Sequence, residues 1–109
     1  MKAEDIMRMI NKRGAVANEI FFTWASLIEE DDETESVKDA KATLVYNCTI
    51  KGMKIILDNP SFYEERAGIK ERNRKRMVKD LEIMSPIEFE DDAPILDYER
   101  LENAMIKSL

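Results

Sequence analysis

The chain has 109 residues, of which 44% are hydrophobic and 37% charged, and its formal net charge is −6. This length suits one hydrophobic core, so we predict a single domain over residues 1–109. No apolar run approaches the roughly 18 residues that a membrane span needs. The opening residues, MKAEDIMRM, carry charges where a signal peptide would be hydrophobic, which predicts a cytoplasmic protein that does not bind membranes.

The composition also restricts the chemistry. The chain contains no histidine, which removes the commonest general base, every Ser-His or Cys-His dyad and the commonest transition-metal ligand. Cys48 is the only cysteine, so an intrachain disulfide is excluded, and its apolar neighbours predict a buried thiol. We therefore predict that the protein is not an enzyme and has no cofactor and no metal.

The first predicted element is a helix over residues 4–28, where apolar residues recur at three- and four-residue spacing. Gly14 lies inside this pattern and costs about 1 kcal/mol relative to alanine, so a break near Lys12–Gly14 stays open. Toward its end the apolar arc widens, and such a helix needs cover on more than one side. We therefore predict a homo-oligomer. Its contact face would include Phe21, Phe22 and Trp24.

An acidic linker, residues 29–35, follows, because like charges this close together disfavour a regular element. Ser36 with Asp39 resembles a capping box and predicts the start of a second helix. Residues 43–57 are ambiguous: TLVYNCTI is rich in β-formers, and Lys51-Gly52 could form a hairpin turn. The helical spacing, however, continues upstream into SVKDAKA. We favour the helix, with an α+β fold containing a hairpin at 43–57 as the alternative.

A third helix is predicted over about residues 62–84. Ser61 and Glu64 form an S-x-x-E capping box at its start. Ser85-Pro86 ends it, because the residue before a proline is biased away from helical geometry.

The C-terminal part of the chain divides into two elements. Residues 86–94 are predicted to be an acidic extended segment, and a short helix follows over roughly 96–107. The predicted fold class is therefore all-α. It is a small antiparallel bundle of three longer helices plus a short C-terminal helix.

The third predicted helix carries four cations on one side, within an arc of about 100° when residues are placed at 100° per position. This basic ridge consists of Arg72, Lys75, Arg76 and Lys79. It suits a solvated face, phosphate contacts with nucleic acid, or contact with protein, including the acidic residues of another subunit. The i,i+4 pairs Glu71–Lys75 and Arg76–Asp80 could neutralise part of it.

Acidic residues concentrate in two blocks, since residues 29–40 carry −6 and residues 86–109 carry −5. The first acidic block is Glu29, Glu30, Asp31, Asp32, Glu33 and Glu35; the second is Glu88, Phe89, Glu90, Asp91 and Asp92, with Phe89 as an apolar anchor. Neither has the ligand pattern of an EF-hand. The first contains an E-E-x-x-E element like that of all-α nucleotide pyrophosphohydrolases, but the E-x-x-D that those magnesium enzymes need is missing at a suitable distance downstream.

Either block alone is explained by solubility, but two blocks with an apolar anchor suit docking to a basic surface of another protein. We therefore predict a small acidic protein–protein interaction module that binds or inhibits a larger protein, such as one that processes nucleic acid. Its size and acidity suit an accessory protein of a phage or mobile element. The alternative is an oligomeric nucleic-acid-binding or DNA-packaging accessory protein that uses the basic ridge.

Overall fold

The computed structural model describes residues 1–59 and 71–109. Within these ranges the chain is all-helical and has no strand, so the predicted all-α fold is confirmed and the hairpin alternative is wrong. The described helices are α1 (Ala3–Asn11), α2 (Ala15–Ile28), α3 (Glu35–Asp58), α4 (Glu71–Ile83) and α5 (Tyr98–Lys107). None of them has the length and apolar character required to cross a membrane.

The helix predicted over residues 4–28 is divided in two, and the break falls at Gly14, which caps the N-terminus of α2. Asn18 holds the resulting corner. Its side-chain amide nitrogen lies 2.9–3.1 Å from the carbonyl oxygens of Ile10, Arg13 and Gly14. The carbonyls at the end of a helix have no partner within that helix, so this one side chain stabilises the end of α1 and fixes the direction in which α2 leaves.

The central element is α3, which packs against all four of the other described helices. Half of its 24 residues are buried, and this burial on several sides explains why its sequence also resembles a strand. Gly52 lies where the ring of Trp24 crosses α3, since a Cβ atom there would be 2.8 Å from the ring. Trp24 Nε1 donates to Ser108 Oγ at 2.9 Å and so connects this contact to the end of α5.

The start of α3 differs from the prediction. Its cap is Thr34, whose Oγ1 accepts from the amide of Val37 at 3.3 Å, and Ser36 lies inside the first turn. Asp39 instead accepts from the amide of Ala3 at 2.7 Å. The predicted capping box is therefore wrong, because a partner distant in sequence takes the Asp39 carboxylate and a threonine upstream supplies the same cap chemistry.

Of the third predicted helix, the structure describes the part from Glu71 onward. It ends at Ile83, next to the predicted end at residue 84, while the predicted start with its Ser61–Glu64 capping box lies outside the described residues. Met77 and Asp80 are the buried residues of α4. Leu81 is partly buried and also packs against the core, so α4 is joined to the bundle by apolar contacts and by one buried charge.

Residues 84–97 contain no helix, and a turn lies at Asp91 and Asp92, where the amide of Ala93 donates to the carbonyl of Glu90 at 3.0 Å. Asn47 fixes this segment to α3, because its side-chain oxygen accepts from the amide of Ile87 at 2.7 Å and its nitrogen donates to the Ile87 carbonyl at 2.9 Å. Asp97 then caps α5 by accepting from the amide of Arg100 at 3.1 Å. The second acidic block is thus held against the bundle by hydrogen bonds on its N-terminal side and by a helix on its C-terminal side.

Candidate docking site

Part of the second acidic block meets Glu35, the last residue of the first block, and two further carboxylates at the end of the bundle where α1 and α3 both begin. They line a cleft of about 650 Å³, which we call the acidic cleft. Its carboxylates come from α1, from α3 and from the segment between α4 and α5. They belong to Asp5, Glu35, Asp39, Glu90 and Asp92. The residues that form its apolar wall are Phe89, Ala93 and Pro94.

Helix N-termini explain why carboxylates gather at this end. Each N-terminus carries a partial positive charge, and Asp5 and Glu35 lie in the first turns of α1 and α3. Sequence reasoning missed Asp5 and Asp39. The signal that could have found them is that acids near helix starts come together when two helices begin at the same end of a bundle.

The carboxylates of the acidic cleft are only loosely neutralised. Asp92 is exposed and has no ion pair with any residue in the described ranges. The others have cationic neighbours on an accessible surface, where ion pairs are screened by water and salt and contribute little. The pairs are Lys2–Asp39 at 3.7 Å, Lys38–Glu35 at 3.8 Å, Arg8–Asp5, and the amino group of Met1 with Glu90. A cationic side chain from another molecule could replace any of these partners.

The first acidic block contains one residue with a structural role. Burial of Glu33 acts to raise the pKa of its carboxyl, but the hydrogen bonding and charge of Lys41, a hydrogen bond from the amide of Glu30 and the charge of Lys38 together outweigh burial and lower that pKa. One Glu33 oxygen lies 2.7 Å from Lys41 Nζ, and the Lys41 ammonium also donates to the carbonyl of Ile28 at 2.6 Å. The pair therefore closes the loop over the end of α2, where a cation is favourable.

The other members of the first block, Glu29, Glu30, Asp31, Asp32 and Glu35, are exposed, and of these Glu35 reaches the acidic cleft. In the second block all five predicted residues are exposed, namely Glu88, Phe89, Glu90, Asp91 and Asp92. The Phe89 ring packs on the ring of Tyr98 with centroids 4.9 Å apart, and the Tyr98 hydroxyl donates to the Pro94 carbonyl at 2.6 Å. These contacts hold Phe89 in place while 39% of it stays open to solvent.

Within the basic ridge, Arg76 differs from the other members, because its guanidinium, although exposed, contacts other groups of the protein. Its Nε lies 3.0 Å from the carboxylate of Asp80, and the predicted Arg76–Asp80 pair is confirmed. A second guanidinium nitrogen donates to the carbonyl of Lys12 at 2.9 Å. The remaining three ridge residues are exposed and form no ion pair with the residues that the structure describes. They are Arg72, Lys75 and Lys79. The predicted Glu71–Lys75 pair is not formed, since Glu71 pairs with Arg74.

Asp80 is the centre of this arrangement and is only 1% exposed. Its carboxylate accepts from the amide of Gly14 at 2.7 Å and lies 4.0 Å from the guanidinium of Arg13. We call Asp80, Gly14, Arg13 and Arg76 the Asp80 clamp. It fastens the corner between α1 and α2 onto α4. Sequence reasoning found only its local i,i+4 pair, because the amide of Gly14 is 66 residues away along the chain.

The residues predicted to form an oligomer face do not share one environment. Phe21 and Trp24 are 1% and 3% exposed and belong to the core, whereas Phe22 is 40% exposed. The widening apolar arc of α2 is covered mainly by the chain's own helices. Only Phe22 of the three is placed to meet another molecule.

Cys48 is buried as predicted, and burial raises the pKa of its thiol to about 12, so the thiol stays protonated and unreactive. Among the described residues, no three His, Cys, Asp or Glu side chains are grouped so as to hold a metal ion. The chain matches no protein-family model, no curated protein and no solved structure. Its function is therefore inferred from its own surfaces.

Proposed function

We propose that this protein is a non-catalytic protein–protein interaction module whose acidic cleft binds a basic, extended segment of a partner protein. The observation that carries this proposal is the meeting of the second acidic block with Asp5, Glu35 and Asp39, from the starts of α1 and α3, around one cleft with an apolar wall. A single acidic loop would be explained by solubility alone. Carboxylates from three separate elements that share a cleft form a surface with a defined shape and a defined charge.

The chemistry of the acidic cleft favours lysine and arginine side chains. Five carboxylates line it against one lysine and one amino group, and Arg8 and Lys38 pair with two of these carboxylates from outside the lining, so the cleft keeps a negative charge. Long cationic side chains also carry apolar stems that pack on apolar surface while the charge stays in water. The half-exposed ring of Phe89 suits such a stem and also attracts a cation to its face. Opposite charge would mainly raise the rate and specificity of association.

Binding of a short peptide rich in lysine and arginine tests the proposal, with a glutamate-rich peptide of equal length as the negative probe. We expect the triple variant Glu35→Gln, Glu90→Gln, Asp92→Asn to weaken binding at least about tenfold. The matched control is Glu29→Gln, Glu30→Gln, Asp31→Asn, which removes the same charge outside the acidic cleft and should have a much smaller effect. Equal losses in both variants would show that only net charge matters and would remove the proposal.

A nucleic-acid-processing protein is the class of partner we propose, since basic segments of such proteins bind phosphates and an acidic module can compete for them. By competing with nucleic acid, the module would inhibit this partner, as an accessory protein of a phage or mobile element would. A pulldown from the native host should lose its main band with the cleft variant and keep it with the control variant. A band that is retained by both contradicts this assignment.

A second candidate function is nucleic-acid binding, favoured by the three exposed cations on one side of α4, Arg72, Lys75 and Lys79. Three phosphate contacts give a slope of about −3 in log affinity against log salt concentration. Titration with duplex DNA and with RNA at low salt tests this function. The absence of binding there removes it, and binding that survives replacement of all three cations by glutamine removes the role of this surface.

A further inference from the structure

Asp39 is held in place within the acidic cleft by the backbone. Its Oδ1 accepts from the amide of Ala3 at 2.7 Å, and its side chain is only 19% exposed. Among the described residues, its Oδ2 has one long ion pair, 3.7 Å from Lys2 Nζ, and the Lys2 side chain is itself largely exposed. Because such a pair contributes little, Oδ2 is a positioned acceptor whose present cation is easily displaced.

Glu90 lies within electrostatic reach of Asp39. The hydrogen bond and the charge of the Met1 amino group lower the pKa of the Glu90 carboxyl, and the charge of Asp39 opposes this lowering. The two carboxylates come from α3 and from the segment before α5, and both line the acidic cleft. Since like charges that act on each other repel, a cation that meets both carboxylates is favoured over one that meets either alone.

Phe89 gives the acidic cleft an aromatic wall that is fixed in place. Its ring packs on the ring of Tyr98 with centroids 4.9 Å apart, and the Tyr98 hydroxyl donates to the carbonyl of Pro94. Part of the Phe89 ring stays open to solvent at the cleft. A ligand that packs on a ring already held in place pays little for ordering it.

We propose that the acidic cleft is selective for arginine, with one guanidinium group that bridges Asp39 and Glu90 while its flat face packs on the ring of Phe89. This inference rests on the proposed function, because it names the side chain that the cleft takes from the basic segment. A guanidinium is planar and has five donors, so it bonds two carboxylates and stacks on an aromatic ring at the same time. The ammonium of lysine is a compact, strongly hydrated charge without a flat face.

The cations that already line the acidic cleft support this selectivity. They are the side chain of Lys2 and the amino group of Met1, and both are ammonium groups. An arginine from a partner displaces them, because its bidentate hydrogen bonds are stronger and its hydration is weaker. Arginine is also the residue that proteins favour for binding phosphates, which agrees with a nucleic-acid-processing partner.

Two peptides of equal length and equal charge test the proposal, one with arginine and the other with lysine at every cationic position. Isothermal titration calorimetry with the full chain should show that the arginine peptide binds at least about fivefold more tightly. Equal affinities overturn the selectivity and leave the proposed function standing. If neither peptide binds, the proposed function fails and this inference fails with it, so the two failures are distinguishable.

Phe89→Leu tests the aromatic wall. Leucine keeps an apolar side chain in the acidic cleft but cannot stack on a guanidinium, so the preference for the arginine peptide should fall to within about twofold. The affinity for the lysine peptide should change little, which shows that the variant still forms the cleft. A preference that survives the substitution, or an equal loss of affinity for both peptides, overturns the proposed contact.

Asp39→Asn tests the bridge between carboxylates. The asparagine still offers an acceptor to the amide of Ala3, so the expected loss, at least about tenfold for the arginine peptide, comes from the missing charge. Asp5→Asn is the matched control, since Asp5 also lines the acidic cleft but pairs with Arg8. The control should weaken both peptides by a similar, smaller factor and keep the preference. A preference that is lost equally in both variants overturns the bridge.

The amide of Ala3 reports directly on Asp39. Its nuclear magnetic resonance signal should shift as the arginine peptide is added, because the peptide changes the charge around the carboxylate that the amide bonds. The amide of Gly14 is the control, since it makes the same type of bond with Asp80, outside the acidic cleft. An Ala3 signal that stays in place while the peptide binds, or equal shifts at both amides, overturns the proposed position of the arginine.

Discussion

The Asp80 clamp and the acidic cleft use the same side-chain chemistry in opposite ways. In the clamp, a backbone amide and two guanidinium groups surround a carboxylate that is 1% exposed. In the cleft, Asp39 also accepts a backbone amide, but Glu35, Glu90 and Asp92 are exposed to solvent, and Asp92 has no ion pair with a described residue. The difference teaches that a carboxylate becomes structural where donors from separate elements converge on it. Elsewhere it stays available to another molecule.

Charged residues with a structural role and charged residues exposed to solvent also lie close together within short stretches of sequence. Glu33 is buried against Lys41, while Asp31 and Asp32 next to it are exposed. On α4, Arg76 reaches the carbonyl of Lys12, while Lys79 on the same side of the helix points to solvent. Net charge and charge runs therefore overstate the surface that is available for binding, and each charged residue has to be assigned by its contacts.

The largest expected effect is that of Asp80→Ala. Removal of one partner of a buried ion pair typically costs about 3–5 kcal/mol, and here it also leaves the amide of Gly14 without its acceptor. Urea unfolding should show a loss of this size. Asp92→Ala removes the same charge from the acidic cleft and should change stability by less than about 0.5 kcal/mol. Similar losses of unfolding free energy at both positions would show that the Asp80 clamp and the acidic cleft do not differ in structural role.

A second, smaller effect is expected from Lys41→Met, which leaves the Glu33 carboxylate without its cation. We expect a loss of about 2 kcal/mol, less than at Asp80, because Glu33 lies in a loop and can turn its carboxylate toward water. The partner variant Glu33→Gln completes a double-mutant cycle, which isolates the interaction between the two side chains. A coupling energy near zero in this cycle would place Glu33 with the exposed acids.

The Glu33–Lys41 pair also predicts a direction of pH dependence. The folded pKa of Glu33 is lowered from its ordinary value of 4.5, so its contribution to stability is fully present above that value. It is lost as the pH falls through the lowered folded pKa, because the carboxyl is then protonated in both states. The stability difference between the unchanged chain and Glu33→Gln should therefore be largest at neutral pH and shrink in acid. A difference that is constant across this range contradicts the pairing.

Much of the fold could be predicted because its signals are local. The apolar spacing of α2 and α3, the break at Gly14 and the stop before Pro86 depend on residues within a few turns of one another. The contacts that sequence reasoning missed join distant segments. Asp39 bonds the amide of Ala3 rather than capping its own helix, and Asp80 reaches the corner between α1 and α2. No local pattern distinguishes such partners from solvent.

The candidate site, too, could be predicted only where its signals are local in the sequence. Both acidic blocks were identified from composition, but the meeting of Glu35 with the second block in one cleft depends on α1 and α3 beginning at the same end of the bundle. Within the run EEDDETE, nothing in the sequence marks Glu33 as the buried member. Its partner, Lys41, lies two turns into the next helix. Position relative to helix ends, rather than charge alone, is the sequence signal that would have improved the assignment.

The smallest effect is expected on the basic ridge, where Lys75→Gln and Lys79→Gln should each change the unfolding free energy by no more than about 0.5 kcal/mol. Both side chains are exposed and form no ion pair within the described part of the chain. Arg76→Gln is the matched substitution on the same helix and should cost about 1–2 kcal/mol, because it weakens contacts with Asp80 and with the Lys12 carbonyl. If Arg76→Gln leaves the unfolding free energy unchanged, Arg76 is not held by these contacts, and the basic ridge has four available cations rather than three. A costly Lys79→Gln would show that the ridge itself is held by the protein, and it would then be unavailable to nucleic acid.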